Sequence, residues 1–170
     1  MSHSDTVCEE SVYTAIFKDY ANNLYHFLYY KTGNLSMAQD LTQEAFTRLW
    51  QNCQAVLKAN AKGYVFKIAN NLLLNTYKHR RVVLQFEHRP QSEAHHESPA
   101  FLLEEKELKA QLETAIAALP EKQRVVFLLS RIDKKTYQEI ADLLGISKQT
   151  VEKRMYNALD TLRQLFAGIR

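Results

Sequence analysis

Turn-forming residues are scarce in this chain of 170 residues: it has four glycines (Gly33, Gly63, Gly145, Gly168) and three prolines. No two glycines lie closer than 23 residues, whereas a Walker-type phosphate loop or a dinucleotide-binding turn needs glycines clustered within a few residues. Both are excluded. The same scarcity leaves too little hairpin chemistry for a β-sandwich or barrel. Two cysteines, Cys8 and Cys53, are too few and too far apart for a disulfide scaffold or a zinc knuckle, and are expected to be reduced. The longest uncharged run, Tyr20 to Tyr30, is 11 residues, well short of the roughly 20 that a membrane span requires. With acids between Met1 and Glu10, in place of a basic stretch leading into an apolar one, no signal peptide is expected. No membrane insertion and a cytoplasmic location are expected.

What is present favours helices. Apolar residues make up 46% of the chain and charged ones 24%, a balance that folds. Val12, Ile16, Tyr20, Leu24 and Phe27–Leu28 recur at helical spacing, widened by Tyr13 and Phe17. Gly33–Asn34 is a helix stop, and Ser36 with Gln39 has the form of a capping box for the next helix. That helix sets Leu41, Ala45, Phe46, Leu49, Trp50 and Cys53 on an apolar face, opposite Asp40, Gln43, Glu44, Thr47 and Gln51. Asn52–Lys62 reads as a loop. After Gly63 a third helix runs to about Arg81, with Val65, Ile68, Ala69, Leu72 and Thr76 along one side.

From about Gln85 the composition shifts to prolines, histidines, serines and glutamates, which marks a linker. Helical pattern resumes near Leu102 and continues through Leu119, and Pro120 fits the first position of a helix over 121–132. Short helical segments follow at 136–144 and 148–166. The fold class is all-α: two small helical domains, 10–84 and 102–167, joined by a flexible linker, 85–101.

The second domain contains a helix-turn-helix pattern. Ala141 is small where two helices cross, Ile140 and Leu144 face the core, and Gly145 occupies a turn that demands positive φ. Ile146 anchors the turn and Ser147 caps the second helix, whose buried side is Val151, Met155, Ala158, Leu159 and Leu162. Its outward side, Lys148, Gln149, Glu152, Lys153 and Tyr156, is polar and suited to a major groove, with Arg154 and Lys134–Lys135 placed for phosphates. An ordinary αα-hairpin needs none of these coincidences.

At this point the chain resembles a known family. Asp40-Leu-Thr-Gln-Glu-Ala-Phe-Thr-Arg-Leu-Trp50 is similar to the core-binding helix of bacterial sigma factors. Gly63-Tyr-Val-Phe-Lys-Ile-Ala-Asn-Asn-Leu72, continuing to Lys78-His-Arg-Arg81, resembles the helix that meets the promoter −10 element. Leu119-Pro-Glu-Lys-Gln-Arg-Val-Val-Phe127 and the helix-turn-helix resemble the −35-binding domain. Two small domains alone match the extracytoplasmic-function (ECF) group, and Leu119–Lys122 with Lys148–Lys153 is similar to its iron-starvation-type, anti-sigma-regulated branch. The resemblance implies core RNA polymerase, through its β′ coiled coil, as partner of Asp40, Gln43 and Glu44. It further implies promoter DNA, duplex and melted strand, and an anti-sigma factor. Tyr64, where the family often has tryptophan, and the surroundings of Lys67 and Asn70, where it has more arginine, depart from the pattern.

The residues themselves support that reading. Asp40, Gln43 and Glu44 share a face at i, i+3 and i+4, an acceptor cluster suited to a basic surface, although acids near a helix start also favour the dipole. Residues 58–89 carry seven basic side chains against one acid and interleave them with aromatics and amides. Basic groups track phosphates, aromatics stack on unpaired bases and amides bond base edges. The candidate −10 residues are Asn60, Lys62, Tyr64, Lys67, Asn70, Asn71, Lys78, Arg80 and Arg81.

No carboxylate pair or Ser/His/Asp arrangement points to catalysis, and no cofactor is expected. His88, His95 and His96 lack the spacing of a helical zinc site. Cys53 reads as a small buried hydrophobe. A different functional class, an autonomous helix-turn-helix regulator, would have no use for the Asp40–Glu44 face. The formal net charge of +3 averages unlike parts: −3 over 1–57, +6 over 58–89, −4 over 90–105 and +4 over 106–170.

Overall fold

The computed structural model describes residues 6–79 and 99–167, with side chains over 6–77 and 107–166. Seven α-helices account for most of the described residues: α1 (Glu10–Thr32), α2 (Leu35–Gln51), α3 (Ala61–His79), α4 (Pro99–Ala118), α5 (Glu121–Arg131), α6 (Tyr137–Leu144) and α7 (Lys148–Ala167). The chain divides into two compact units, residues 1–83 and 84–170. The expected linker core, 85–98, and with it His88, His95 and His96, lies outside the described residues. Among the described residues no helix is long and apolar enough to cross a membrane.

In the first unit α1, α2 and α3 pack on one another. Their buried stripes are Ile16, Leu24 and Leu28 on α1, Ala38, Leu41, Ala45, Phe46 and Leu49 on α2, and Ala61, Val65, Ala69 and Leu73 on α3. The α3 stripe runs at strict i, i+4 spacing, so Leu73 rather than Leu72 ends it. Gly33 ends α1 as expected, in the left-handed region at φ 67°, its N–H donating to the Tyr29 carbonyl at 2.7 Å. The cap of α2 is Asn34, not Ser36: Asn34 is extended and its Oδ1 accepts from the Met37 N–H at 2.7 Å. Ser36 already lies inside the helix, where a side chain cannot reach forward to cap. Two single turns of 3-10 helix, Cys53–Ala55 and Lys58–Asn60, organise the expected loop, and α3 begins two residues before Gly63.

Trp50 and the two cysteines depart from the sequence expectation. Trp50 is 45% exposed, because it stands about 120° round α2 from the centre of the buried stripe, beyond Phe46. Cys8 and Cys53 form a disulfide, with Cα atoms 4.8 Å apart. Their 45-residue separation conceals the proximity: α1 and α2 form an antiparallel hairpin, which returns the end of α2 to the start of α1. Val7 is buried and its N–H donates to the Val56 carbonyl at 3.2 Å, while Thr6 pairs with Leu57 in an isolated antiparallel bridge. The disulfide therefore ties the segment before α1 to the one after α2.

In the second unit α7 packs against α4, α5 and α6. Ala115 and Leu119 meet Ala158 and Leu162, with Ile116, Phe127 and Phe166 packed around them. Pro120 precedes α5 as its cap residue rather than opening it. Arg124, counted above among the cationic residues, is 1% exposed: its Nη1 donates to the carbonyls of Ala117 (3.1 Å) and Leu119 (2.8 Å) at the end of α4. These are carbonyls that a helix C-terminus leaves unsatisfied.

The helix-turn-helix forms as its sequence requires. Thr136 and Glu139 build a capping box on α6, and Gly145 takes φ 64°. Ser147 Oγ accepts from the Thr150 N–H at 3.2 Å. Ile140, Ala141 and Leu143 are buried on α6, whereas Leu144 is only half-buried. On α7 Val151, Met155, Ala158 and Leu162 are buried and Leu159 is half-buried.

Three outcomes check this description. Opening the Cys8–Cys53 bond, by reduction or by Cys53→Ser, removes a loop-closure constraint of at most about 4 kcal/mol and should lower the melting temperature of the first unit. Equal melting of oxidised, reduced and substituted protein would contradict it. Gly145→Ala should cost about 1 kcal/mol through the left-handed backbone alone, since an added Cβ meets nothing within 4 Å. Backbone and side-chain hydrogen bonds from Thr136 hold the Glu139 carboxyl below the ordinary glutamate range. A depressed pKa in the folded state gives stability that is present above the unfolded value and lost as pH falls through the folded one. Protection of the amides at the start of α6, taken relative to their intrinsic exchange rates, should therefore fall below that range, and Glu139→Ala should abolish that fall.

Candidate nucleic-acid and partner interfaces

Because α7 spends one side on the core, its other side is fixed as surface. Lys148, Gln149, Glu152, Lys153 and Tyr156 are all exposed, Tyr156 at 68%. At about 100° per residue they occupy one arc of roughly 140°. Lys148 Nζ lies 3.9 Å from Glu152 Oε1, an exposed i, i+4 pair that neutralises part of the face. Arg154 is half-buried and lies outside that arc. Lys134, at φ 56°, turns the chain between α5 and α6, where the Lys135 N–H donates to the Leu129 carbonyl at 3.1 Å. The expected phosphate-holding lysines thus sit on a fixed turn before the helix-turn-helix.

On α3 the outward line carries Lys67, Asn71 and the position of Lys78, flanked by Asn70 and Tyr64. Lys67 and Asn71 are exposed, and Tyr64 and Asn70 half-buried. Lys62, one residue into the helix, is half-buried on the other flank, so it does not share this line. Asn60 is exposed at the end of the second 3-10 turn, outside α3. Arg80 and Arg81, and the side chain of Lys78, lie outside the described residues. Phe66 packs on Phe27, ring centroids 5.5 Å apart, and faces away from the line. Sequence reasoning missed Leu74, 48% exposed in the middle of this polar face. The signal was there: Leu72, Leu73 and Leu74 are consecutive, and three neighbours cannot share one buried stripe.

On α2 Asp40, Gln43 and Glu44 are exposed on one face, as their spacing requires. Glu44 is ion-paired with Arg48, Oε1 to Nε 2.7 Å, one turn on. Trp50 extends the face, its ring edge-on to Tyr13 at 5.0 Å between centroids. Tyr13 donates its hydroxyl to the Phe46 carbonyl at 3.1 Å, and burial pushes its pKa up. Glu10, Tyr13, Thr14, Thr47 and Trp50 line an open depression between α1 and α2. Here an apolar surface adjoins an acidic one.

Comparison with known proteins finds a family region on each of the two units. Residues 16–82 match sigma-70 region 2, and residues 109–162 match sigma-70 region 4. The ECF RNA polymerase sigma factor SigE of Mycolicibacterium smegmatis is 29% identical over 156 residues, spanning 89% of this chain and 60% of that protein. The chain thus spans less than two thirds of that relative's length. SigM of Bacillus subtilis, also an ECF RNA polymerase sigma factor, is 25% identical over 160 residues, 89% of this chain and 93% of the relative. The fold is shared with the sigma factor RpoE from Bartonella quintana, solved with the anti-sigma factor NepR (TM-score 0.55, 18% identity, covering 93% of this chain and 98% of that one). The three-helix unit with its acidic α2 face and the helix-turn-helix unit fall, in chain order, where regions 2 and 4 match, and the chain belongs to the ECF group of the sigma-70 family.

Proposed function

We propose that this protein is a promoter-recognition subunit of RNA polymerase that performs no chemistry of its own. Residues 10–84 act as region 2, gripping core polymerase and the −10 element; 85–101 link the domains; 102–167 act as region 4 on the −35 element. The outward face of α2 carries this reading. Asp40, Gln43 and Glu44 hold no part of the core, yet present acceptors beside the exposed Trp50, which packs edge-on against the half-buried Tyr13. A basic helical surface with apolar side chains, such as the β′ coiled coil, fits both halves. An autonomous regulator using the same helix-turn-helix would leave that face idle.

On DNA, the polar arc of α7 enters the −35 major groove, while Lys134, Lys135 and Arg154 hold flanking phosphates. Lys67, Asn70, Asn71, Lys78, Arg80 and Arg81 track the melted −10 strand, with Tyr64 and Leu74 as surfaces for unpaired bases. Asn60 contributes from the preceding loop, where a pocket would offset a base-flipping cost of a few kcal/mol, and Lys62 from the first turn of α3. All of this takes place in the cytoplasm, where the polymerase is. An anti-sigma factor completes the set of partners, in keeping with the Bartonella complex and with the iron-starvation-type runs Leu119–Lys122 and Lys148–Lys153.

Transcription with purified core polymerase and genomic promoter fragments tests the reading: promoter-dependent product should appear only when the protein is added. Glu44→Lys and Trp50→Ala should each weaken core binding at least tenfold while leaving the helical spectrum unchanged. Wild-type affinity in both would remove the α2 face from the interface. Lys153→Ala should lower −35 duplex binding and change the slope of log affinity against log salt by about 1 if it meets phosphate, or leave the slope and alter base preference if it meets a base edge.

A further inference from the structure

An asparagine that reads a base is ambiguous, because one end of its amide accepts hydrogen bonds and the other donates. At Asn70 the ambiguity is removed. Lys31, in the last turn of α1, places Nζ 2.6 Å from Asn70 Oδ1. An ammonium has three donors and no acceptor, so it can face only the carbonyl end; a flipped amide would set NH2 against NH3+. Lys31 is itself held. Its Nζ lies over the Phe27 ring, 5.1 Å from the centroid, and its own carbonyl accepts from the Tyr77 hydroxyl of α3 at 3.4 Å. Phe27 in turn packs on Phe66 of α3. The end of α1 is thus fixed to α3 above and below Asn70, and both Lys31 and Asn70 are half-buried.

We propose that Lys31 is a specificity-determining positioning residue: by holding Asn70 Oδ1 it turns the amide NH2 toward the melted strand, so that Asn70 offers donors and selects acceptor edges of an unpaired base. This rests on the −10 role given to α3 above. A base presenting a ring nitrogen or carbonyl at that point is accepted, and one presenting an exocyclic amino group is rejected. Without Lys31 the amide can turn over and take either.

The test uses polymerase holoenzyme on a promoter library randomised through the −10 element, with transcripts sequenced, for wild type, Lys31→Met, Lys31→Arg, Asn70→Ala and the Lys31→Met/Asn70→Ala double variant. Methionine keeps the side-chain stem against Phe27 without a donor, and arginine restores one. Asn70→Ala should reduce discrimination at one −10 position roughly tenfold. Lys31→Met should relax the same position by a few-fold, Lys31→Arg should retain the preference, and the double variant should match Asn70→Ala. Relaxation by Asn70→Ala but not by Lys31→Met would overturn the proposal while leaving the −10 face intact. A uniform loss of transcription in Lys31→Met, with preference unchanged, would also overturn it, since a phosphate contact or a packing role acts that way. No change in preference in Asn70→Ala would remove Asn70 from base reading, and the proposal with it.

Discussion

A helix in a small domain has one apolar stripe to spend, and each half of this chain spends it on a single helical core. Domains of this size bury only about 60% of their unfolded surface, so no second stripe is available. On α2 the stripe from Ala38 to Leu49 takes the inner side, and on α7 the stripe from Val151 to Leu162 does the same. Whatever remains must be surface: Asp40, Gln43 and Glu44 on one helix, and Lys148, Gln149, Glu152, Lys153 and Tyr156 on the other. The proposed interfaces are what the cores leave over. Mutations that shift a core stripe would therefore displace the opposite face even without touching it.

Legibility in the sequence followed the range of the interaction. Gly33, Gly145 and Ser147 act within a turn, and residue type with position was enough to place them. The helical stripes were legible because a period of 3.6 residues is local. Trp50 was misassigned because an apolar residue at the edge of a stripe reads as core until the width of the buried arc is known. The Cys8–Cys53 bond, the burial of Arg124 and the Lys31–Asn70 contact depend on which ends of which helices meet, information that spacing does not carry. For Arg124 a signal existed, since it follows shortly after the end of α4, where free carbonyls need donors. For the cysteines none did.

Electrostatics sharpen in the same way. The positive charge after residue 106 does not all face outward: Arg124 is enclosed between α4 and α5, and Lys148 is partly neutralised by Glu152. On α2 the pairing of Glu44 with Arg48 tempers the acidic face. Such exposed pairs are worth at most about 1 kcal/mol and rearrange readily when a partner offers better geometry. They keep each face soluble when unbound without committing it. Lys31 is different, because a half-buried pair sandwiched against Phe27 is less free to exchange.

The proposed function divides labour between two helices, with α2 meeting the polymerase and α7 meeting duplex. Hydrogen exchange on the full chain measures both at once, with core polymerase added first and promoter second. Core alone should protect residues 40–50, and promoter should then add protection along the outward residues of α7. Protection of α7 by promoter duplex alone at equal affinity, with α2 unaffected by core polymerase, would contradict that division.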